Sequence, residues 1–329
     1  MRKIKYRIFL FFTSVVIFVI FLSLLTPWPS VLVIRSIFAY NSAKTLEALK
    51  NKAPLDVITK ANIPYDPKNK SLRLDVASPR SENYSISRKT IVWIHGGAWV
   101  YGSKENVDYY ARILASKGFV VVTVDYSLAP SSHYPVPLQQ INKALEFLES
   151  NASELTIDMG QVFLAGDSAG AQIAAQLANI ISNPDYAKQI GISPAIARNQ
   201  LAGVVLFCGA YDLATLENAS ALMNWFIHTV LWSYAGKRDF RNDPGFRMAS
   251  VAQFVDANFP PAFISAGNND PLLPQSLEFE RVLRERSVTV ESLFFPADHV
   301  PLLGHEYQFD VSSEAGQKAL SQLDQFLHR

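Results

Sequence analysis

The sequence predicts an α/β fold in which a mostly parallel central sheet is covered by helices on both faces. The first observation is that short apolar runs alternate with amphipathic segments of helical spacing over most of the chain. The second is that some runs, such as Phe119–Val124, are apolar throughout, which is typical of strands buried on both sides. Strands that alternate with helices build parallel sheets. The predicted strands are 91–94, 119–124, 161–165, 204–207, 262–266 and 288–295.

The predicted helices carry apolar residues at intervals of three and four. One covers Glu105–Lys117 and stops at Gly118, and the last covers about Ser313–Leu327. In a parallel sheet, ligands bind where the carboxyl ends of the strands meet. The residues that directly follow the strands are therefore the first candidates for a functional site.

The N-terminal segment differs in character from the rest of the chain. Four basic residues among the first seven precede a nearly uninterrupted apolar run, Ile8–Leu25. About twenty apolar residues span a bilayer as a helix, whereas the apolar region of a cleaved signal peptide usually has about 7–15. We therefore expect residues 1–30 to be a transmembrane signal anchor, with a removed signal peptide as the alternative. The positive-inside rule then places the N-terminus in the cytoplasm and the remaining chain on the periplasmic, extracytoplasmic or lumenal side.

Composition excludes several classes of function. The 329 residues are 49% hydrophobic, enough for a large core, and the formal net charge of +1 offers no basic surface for nucleic acid. Cys208 is the only cysteine and follows an apolar strand, so we expect a packed thiol and no intramolecular disulfide. Histidines, cysteines and acidic residues do not cluster at the spacing of metal ligands, and we expect neither a metal nor a cofactor.

The pentapeptide Gly166-Asp167-Ser168-Ala169-Gly170 lies between a predicted strand and a helix-like run. A turn this tight leaves no room for side chains at Gly166 and Gly170, and it projects Ser168 into the open. The N-terminus of the following helix favours developing negative charge. The pattern predicts a nucleophilic serine, and its alternative is a plain strand-to-helix turn of small residues.

A second group of small residues, His95-Gly96-Gly97-Ala98-Trp99, follows another predicted strand. Backbone N–H groups in such a loop can point at a ligand oxygen without obstruction by side chains. Acyl transfer needs donors of this kind for the oxygen of a tetrahedral intermediate. The loop and the pentapeptide therefore support each other, and together they indicate acyl transfer.

Four stretches of the chain resemble the hormone-sensitive-lipase-like esterases and acetylesterases of the α/β-hydrolase superfamily. They are residues 95–99, 124–130 with Tyr134-Pro135 after it, 166–170 and 265–272. With a histidine near the C-terminus, they span roughly residues 90 to 328 and follow the chain order Ser, Asp, His that this fold uses. The resemblance implies an α/β-hydrolase fold with a helical cap.

The resemblance also implies roles for the small residues. It makes the backbone N–H groups of Gly97, Ala98 and Ala169 the donors of an oxyanion hole, although Ala98 stands where many relatives have a third glycine. Gly96 then mainly permits the turn. His95 braces the loop in this family and is not expected to act as a base.

Two aspartates that follow predicted strands are candidates for the acid of a catalytic triad. Asp270 lies in a setting that resembles the family's acid position and is favoured, whereas Asp212 is its rival. Asp167, beside the serine, is expected to support the elbow and not to transfer a proton.

Two histidines lie in the loop after the last predicted strand. His299 keeps the short gap between strand and histidine that is common among relatives. His305 lies about eight residues before the terminal helix, as the family's histidine does, but Glu306 and Tyr307 follow it in place of the usual Gly-Phe. We favour His305 as the base, and His299 remains the alternative.

We expect three regions in the chain: the anchor over 1–30, a cap or linker segment over 31–62 and the catalytic domain over 63–329. An insertion at about 213–255 would complete the cap. Its aromatic residues are possible walls of an acyl pocket, although aromatic residues at helical spacing are also typical of a core. They are Trp225, Phe226, Trp232 and Tyr234.

The resulting hypothesis is a membrane-anchored serine carboxylesterase that acts on short to medium acyl esters. Ser168 would attack the ester carbonyl, His305 would carry the proton and Asp270 would hold the histidine, through a covalent acyl-enzyme that needs no cofactor. The expected partners are a small-molecule ester and the membrane, not nucleic acid. Two alternatives stay open: a deacetylase of polysaccharide or cell-envelope esters, and a catalytically silent hydrolase fold that serves as a membrane-tethered interaction module.

Overall fold

An eight-stranded sheet forms the centre of the computed structural model, which describes residues 2–80, 88–217 and 220–329. The strands are β1 (Val57–Pro64), β2 (Arg73–Pro79), β3 (Lys89–Ile94), β4 (Val120–Val124), β5 (Asp158–Asp167), β6 (Leu201–Phe207), β7 (Ala262–Ser265) and β8 (Val290–Leu293). Their spatial order is β1-β2-β4-β3-β5-β6-β7-β8. The pairs β1·β2 and β2·β4 are antiparallel, and the remaining pairs are parallel. The prediction of a mostly parallel sheet is confirmed.

Helices cover both faces of this sheet, which confirms the predicted α/β architecture. They are α1 (Arg2–Leu25), α2 (Trp28–Lys50), α3 (Asp108–Ser116), α4 (Val136–Ser150), α5 (Ala152–Leu155), α6 (Ala169–Ser182), α7 (Pro184–Ile190), α8 (Ala221–Ala235), α9 (Pro244–Arg247), α10 (Leu273–Glu285) and α11 (Glu314–His328). The last helix therefore lies within one residue of its predicted range.

Other predicted boundaries are displaced by a few residues. The segment predicted as a helix over 105–117 begins as a 3-10 turn, Lys104–Val107, and becomes α-helical only in α3. The strand predicted over 288–295 pairs only over β8, because it lies at the edge of the sheet and has β7 as its one neighbour in the described chain. The expected limit between residues 62 and 63 falls inside β1, which pairs with β2.

Alternate residues of the central strands enter two different cores, as the two-residue period of a strand requires. In β4, Val120, Val122 and Val124 face the core that also contains α4 and α6. Val121 faces the core beneath α3 and α11. The run 119–124 is apolar throughout because both of its faces are buried.

The register of the central strands lines up their carboxyl ends. Ile94 of β3 lies opposite Gly166 of β5, and Phe207 of β6 lies opposite Ser265 of β7. The amide of Ser168 continues this alignment by donating to the Phe207 carbonyl at 2.8 Å. The segments that follow four neighbouring strands therefore meet at one edge of the sheet, where the predicted site residues were expected.

One helical segment in the described part of the chain, Tyr6–Leu25 within α1, is long and apolar enough to cross a membrane. It has 20 residues with a mean hydropathy of 2.9, and no part of it is buried against the rest of the structure. Helix α2 starts at Trp28 and packs on the globular part through Val31 and Ile34. Its Arg35 side chain donates to the carbonyls of Val100 and Ala129 at 2.7 and 3.0 Å.

A buried ion pair joins the start of the 3-10 turn to the edge of the sheet. Lys104 Nζ lies 3.0 Å from Asp75 Oδ2 of β2, and these side chains are only 2% and 9% exposed. The Lys104 amide donates to Asp125 Oδ1 at 2.8 Å. Desolvation alone would lower the pKa of Lys104, but the hydrogen bonds that its ammonium group donates to Glu105 and Asp75 outweigh desolvation and raise this pKa. A lysine this deep is stable only with its partner, because an unpaired buried charge is costly.

We predict that Lys104→Met lowers the free energy of unfolding by about 3 kcal/mol or more, because it leaves the Asp75 carboxylate buried without its cation. Urea denaturation measures this change. The control is Arg281→Met, since Arg281 and Glu278 are 55% and 53% exposed and such pairs contribute less than about 1 kcal/mol. Equal losses in the two variants would contradict the prediction.

Candidate active site

Ser168 stands at the turn between β5 and α6, at the predicted elbow. Its backbone angles, φ +52° and ψ −119°, are ones that residues other than glycine rarely adopt. The side chain borders the main cavity of the molecule. The turn therefore presents the serine hydroxyl to open space with the N-terminus of α6 directly behind it.

The glycines at both ends of the elbow are required by close backbone contacts. A Cβ atom on Gly170 would lie 2.0 Å from the Ile94 carbonyl oxygen, and one on Gly166 would lie 2.5 Å from the Gly170 carbonyl carbon. Neither contact leaves space for a methyl group. Gly166 and Gly170 thus let α6 pack directly on the end of β3, as the sequence pattern predicted.

Three consecutive residues of the loop after β3 have positive φ angles. They are Gly97 with φ +106°, Ala98 with φ +52° and Trp99 with φ +59°. The amides of Val100 and Tyr101 donate to the Gly97 carbonyl at 3.1 and 3.0 Å. Within the described ranges, the amides of Gly97, Ala98 and Ala169 have no carbonyl partner of this kind. These three N–H groups are therefore available to a bound oxygen atom. Ala169 is the first residue of α6.

His95 lies beneath this loop and has the character of a structural residue. It is fully buried, its Nδ1 is 2.8 Å from the Gly96 carbonyl oxygen, and its ring stacks on Tyr126 with a centroid distance of 4.3 Å. Burial lowers the pKa of His95 to about 4, so the ring is neutral and its Nδ1–H donates to Gly96. A Cβ on Gly102 would lie 2.5 Å from His95 Nδ1, which explains the glycine there.

His305 and Asp270 form a hydrogen-bonded pair. His305 Nδ1 lies 3.0 and 2.9 Å from the two carboxylate oxygens of Asp270, whose side chain has no exposed surface. Asp270 follows β7, and His305 lies in the loop between β8 and α11. Because Nδ1 donates to the carboxylate, the neutral ring carries its free lone pair on Nε2. A third of the His305 side chain remains exposed and borders the same cavity as Ser168.

The surroundings of His305 make its ring more basic. Desolvation alone would lower the pKa of His305, but the adjoining Cys208 sulfur and the Asp270 carboxylate raise it well above its ordinary value. The Asp270 contribution is the one that acts at ordinary pH, since the Cys208 thiol is then neutral. No direct hydrogen bond joins Ser168 to His305 among the described residues. Such bonds are often loose before a substrate binds.

The two rival residues lie away from this cavity. The ring of His299 packs on Phe295 at a centroid distance of 4.6 Å, and its Nε2 is buried without a partner in the described chain. The Asp212 carboxylate accepts hydrogen bonds from Gln253 Nε2 at 3.1 Å and from the Ala214 amide at 3.1 Å. Neither residue is among those that border the cavity.

Cys208, Asp270 and His305 have potential ligand atoms within 4.8 Å of one another, which raises the question of a metal site. Metals bind the thiolate form of cysteine. Burial raises the pKa of the Cys208 thiol to about 12, and the other two residues are already bonded to each other. The donor set therefore fits a thiol packed behind a His-Asp pair better than it fits a metal centre.

The main cavity has a volume of about 570 Å³ and lies between this edge of the sheet and α2. The oxyanion loop contributes Gly96 and Gly97 to its wall. Helix α2 contributes Phe38, which contacts Phe226 of α8 at a centroid distance of 5.9 Å. Apolar and polar side chains share the lining, and apolar surface predominates. Its polar residues include Asn41, Ser42, Thr45, Asn106, Glu306 and Asp310.

The aromatic residues of the insertion were possible pocket walls, but they do not border this cavity. Tyr234 is buried and stacks on Trp99 at a centroid distance of 4.8 Å, so it belongs to the core. Trp225 is 43% exposed. The space they were expected to line is instead bordered by α2.

Asp167 and Glu306 form a carboxyl pair beside the elbow. Asp167 Oδ1 accepts a hydrogen bond from Trp93 Nε1 and Oδ2 accepts one from the Gly96 amide, both at 2.8 Å. Burial, together with the charge of Glu306, raises the pKa of Asp167 well above its ordinary value. Asp167 supports the elbow as expected, and its bond to the Gly96 amide removes that amide from the oxyanion donors. The nearness of Glu306 was not anticipated from the sequence, although its place after His305 was a visible departure from the usual glycine.

Comparisons with known proteins agree with this architecture. A family model described as the alpha/beta hydrolase fold matches residues 91–300. The esterase LipQ of Mycobacterium tuberculosis is 29% identical over 247 residues, 73% of this chain, and the chain spans 56% of the length of LipQ. An acetyl esterase of Salmonella paratyphi B is 24% identical over 255 residues, 74% of each protein. The crystal structure of esterase B from Lactobacillus rhamnosis is similar with a TM-score of 0.76 and 25% identity, covering 90% of this chain and 94% of that one.

The family model covers more than half of the chain and includes the oxyanion loop, the elbow and Asp270. In the described sheet the neighbouring strands from β4 to β8 are parallel, and Ser168 lies at the turn after β5. This chain belongs to the α/β-hydrolase family.

Proposed function

We propose that this protein is a serine carboxylesterase that acts through Ser168, His305 and Asp270. The observation that carries the proposal is that the His305 ring, bonded to Asp270 through Nδ1, borders the same cavity as the elbow serine. The names of the relatives, esterase and acetyl esterase, support the same reaction class. The cavity volume of about 570 Å³ suits a short to medium acyl ester.

The residues divide the reaction into two steps. Ser168 Oγ attacks the ester carbonyl carbon as His305 Nε2 takes its proton, and the carbonyl oxygen becomes an oxyanion opposite the amides of Gly97, Ala98 and Ala169. His305 then gives the proton to the alcohol oxygen. The bond between this oxygen and the carbonyl carbon breaks, and an acyl-serine remains. In the second step His305 takes a proton from water, whose oxygen attacks the acyl carbon. His305 then gives this proton to Ser168 Oγ as the bond between Oγ and the acyl carbon breaks, so that the acid and the free serine are released.

A deacetylase of polysaccharide or cell-envelope esters is the second candidate, since it would use the same residues. The polar residues within the cavity lining, such as Asn41, Ser42 and Asn106, are the observation that favours it over an enzyme for wholly apolar esters.

We further propose that α1 anchors the protein in a membrane, with its basic tip in the cytoplasm and the catalytic domain on the periplasmic, extracytoplasmic or lumenal side. The segment Tyr6–Leu25 has the length of a bilayer span and lies outside the packed structure. The basic residues before it supply the charge bias that orients such helices.

The roles of the serine and histidine predict the outcome of labelling with a fluorophosphonate probe. Wild type should be labelled and Ser168→Ala should not, because the probe needs the hydroxyl. His305→Ala should lose about 10⁴-fold or more in turnover of p-nitrophenyl acetate, since no base would remain. The matched control is His299→Ala, which should keep normal turnover. A folded wild type that resists the probe would refute the enzyme hypothesis. Loss of turnover only in the His299 variant would show that His299, and not His305, is the base.

The raised pKa of His305 predicts a specific pH dependence. The base must be neutral to take a proton, so kcat/KM should rise with pH until it passes the raised pKa of His305 and then level off. Asp270→Asn removes the charge that stabilises the imidazolium, and it should lower this pKa by about 1–3 units. A ¹⁵N NMR titration of the imidazole, assigned with His305→Ala, measures the shift. Asp212→Asn is the control and should leave the titration unchanged, whereas an unchanged titration in Asp270→Asn would exclude Asp270 as the acid.

The anchor proposal predicts that the protein stays in the membrane pellet after alkaline carbonate extraction. A chain with both Phe12→Arg and Val16→Arg should be released, because each central arginine costs about 2.5–3.5 kcal/mol in a spanning helix. Recovery of the wild type in the supernatant would show that α1 is not an integral span.

A further inference from the structure

Glu306 occupies a backbone conformation that few glutamates adopt. It directly follows His305 and has φ +59° and ψ +28°, in the left-handed region that favours glycine. The conformation turns its side chain back over the histidine. Glu306 Oε1 lies 3.7 Å from His305 Nε2 and 3.1 Å from the position that a Cβ on Gly96 would take. The carboxylate therefore lies between the histidine and the oxyanion loop.

The partner of Glu306 holds its side chain in place. Glu306 shares a hydrogen bond with Asp167, which is buried and anchored by Trp93 and the Gly96 amide. Burial, followed by the charge of Glu306, raises the pKa of Asp167 well above its ordinary value. A third of the Glu306 side chain, 35%, is exposed and borders the cavity. The Glu306 carboxylate is thus held on the cavity wall with room for a ligand beside it.

The direction of proton transfer identifies the part of the ester that meets this carboxylate. His305 Nε2 must return its proton to the leaving alcohol oxygen, so the alcohol half of the ester lies beside Nε2. Glu306 Oε1 is the nearest carboxylate oxygen to that nitrogen among the described ion pairs. The alcohol half therefore passes next to Glu306, and the acyl half is directed elsewhere.

Other polar groups line the same cavity as Glu306, beside its apolar surface. Asn106 donates to Ser42 across the gap between the 3-10 turn and α2. Asn41 of α2 and Asp310, beyond the histidine loop, are exposed on the same cavity. An alkyl group placed here would strip water from these groups without replacing its hydrogen bonds, which is unfavourable.

We propose that Glu306 is a specificity-determining residue that accepts hydrogen bonds from hydroxyl groups of the alcohol half, so that the enzyme prefers esters of polyhydroxylated alcohols, such as glyceryl or glycosyl esters. This inference rests on the proposed esterase function and deepens it. Hydrogen bonds to a charged group discriminate by about 10- to 100-fold between a ligand that makes them and one that does not.

The test compares acetates that share one acyl group. The substrates are 2,3-dihydroxypropyl acetate, methyl 6-O-acetylglucopyranoside and n-propyl acetate, with acid release followed in a pH-stat. In wild type, kcat/KM should be about tenfold or more higher for at least one hydroxylated ester than for propyl acetate. In Glu306→Gln this ratio should fall towards one, mainly through a higher KM for the hydroxylated ester. The two hydroxylated substrates distinguish a glyceryl from a glycosyl preference.

Two further variants make the result decisive. Glu306→Gly suits the left-handed backbone and should show the same loss of preference if the glutamine variant does not fold. Asp298→Asn removes an exposed carboxylate from the same loop and should keep the wild-type ratio. A ratio unchanged in Glu306→Gln, with both rates lowered equally, would mean that Glu306 only supports His305 and would overturn the proposal. If wild type hydrolyses none of the acetates and resists the fluorophosphonate probe, the esterase function itself fails.

Discussion

The backbone of α6 touches the backbone of β3 at Gly170, and the geometry of the cavity depends on this contact. A Cβ at that position would lie 2.0 Å from the Ile94 oxygen and 2.6 Å from the His95 oxygen. Because both partners are main chain, neither can move aside as a flexible side chain would. The contact holds the N-terminus of α6 against the loop that follows β3. Displacement by about 1 Å at such a site is enough to impair a reaction that needs several groups aligned.

The cavity is bordered by helix α2 of the N-terminal segment as well as by the segments that follow the strands. Arg35 ties α2 to the carbonyls of Val100 and Ala129, close to the oxyanion loop, and Phe38 packs against Tyr101 at a centroid distance of 6.0 Å. Only two residues separate α2 from the apolar helix α1. Helix α2, which forms one wall of the cavity, is therefore covalently continuous with the proposed anchor. The contacts of Arg35 and Phe38 fix the position of this helix.

The parts of the molecule that could be predicted depend on local patterns. A strand buried on both faces is apolar throughout, and a tight elbow needs glycine at fixed positions, so both are visible in the sequence. The positions of His299 and His305 are different, because both lie in one loop and only contacts in space distinguish them: His305 contacts Asp270 and borders the cavity, whereas His299 packs on Phe295. The polar residues of α2 could not be assigned either. Ser42 resembles any residue on a solvated helix, and its partner Asn106 is 64 residues away.

The carboxyl groups around His305 bear directly on the proposed mechanism. Asp270 contacts Nδ1, and in that mechanism its charge would support the imidazolium. Asp167 accepts a hydrogen bond from the Gly96 amide, and burial, followed by the charge of Glu306, raises its pKa well above the ordinary value. Glu306 is partly exposed and lies 3.7 Å from Nε2. In the proposed mechanism, the two carboxyl groups that contact His305 would therefore stabilise its cationic form, whereas burial disfavours a negative charge on Asp167, the carboxyl group beside the proposed oxyanion site.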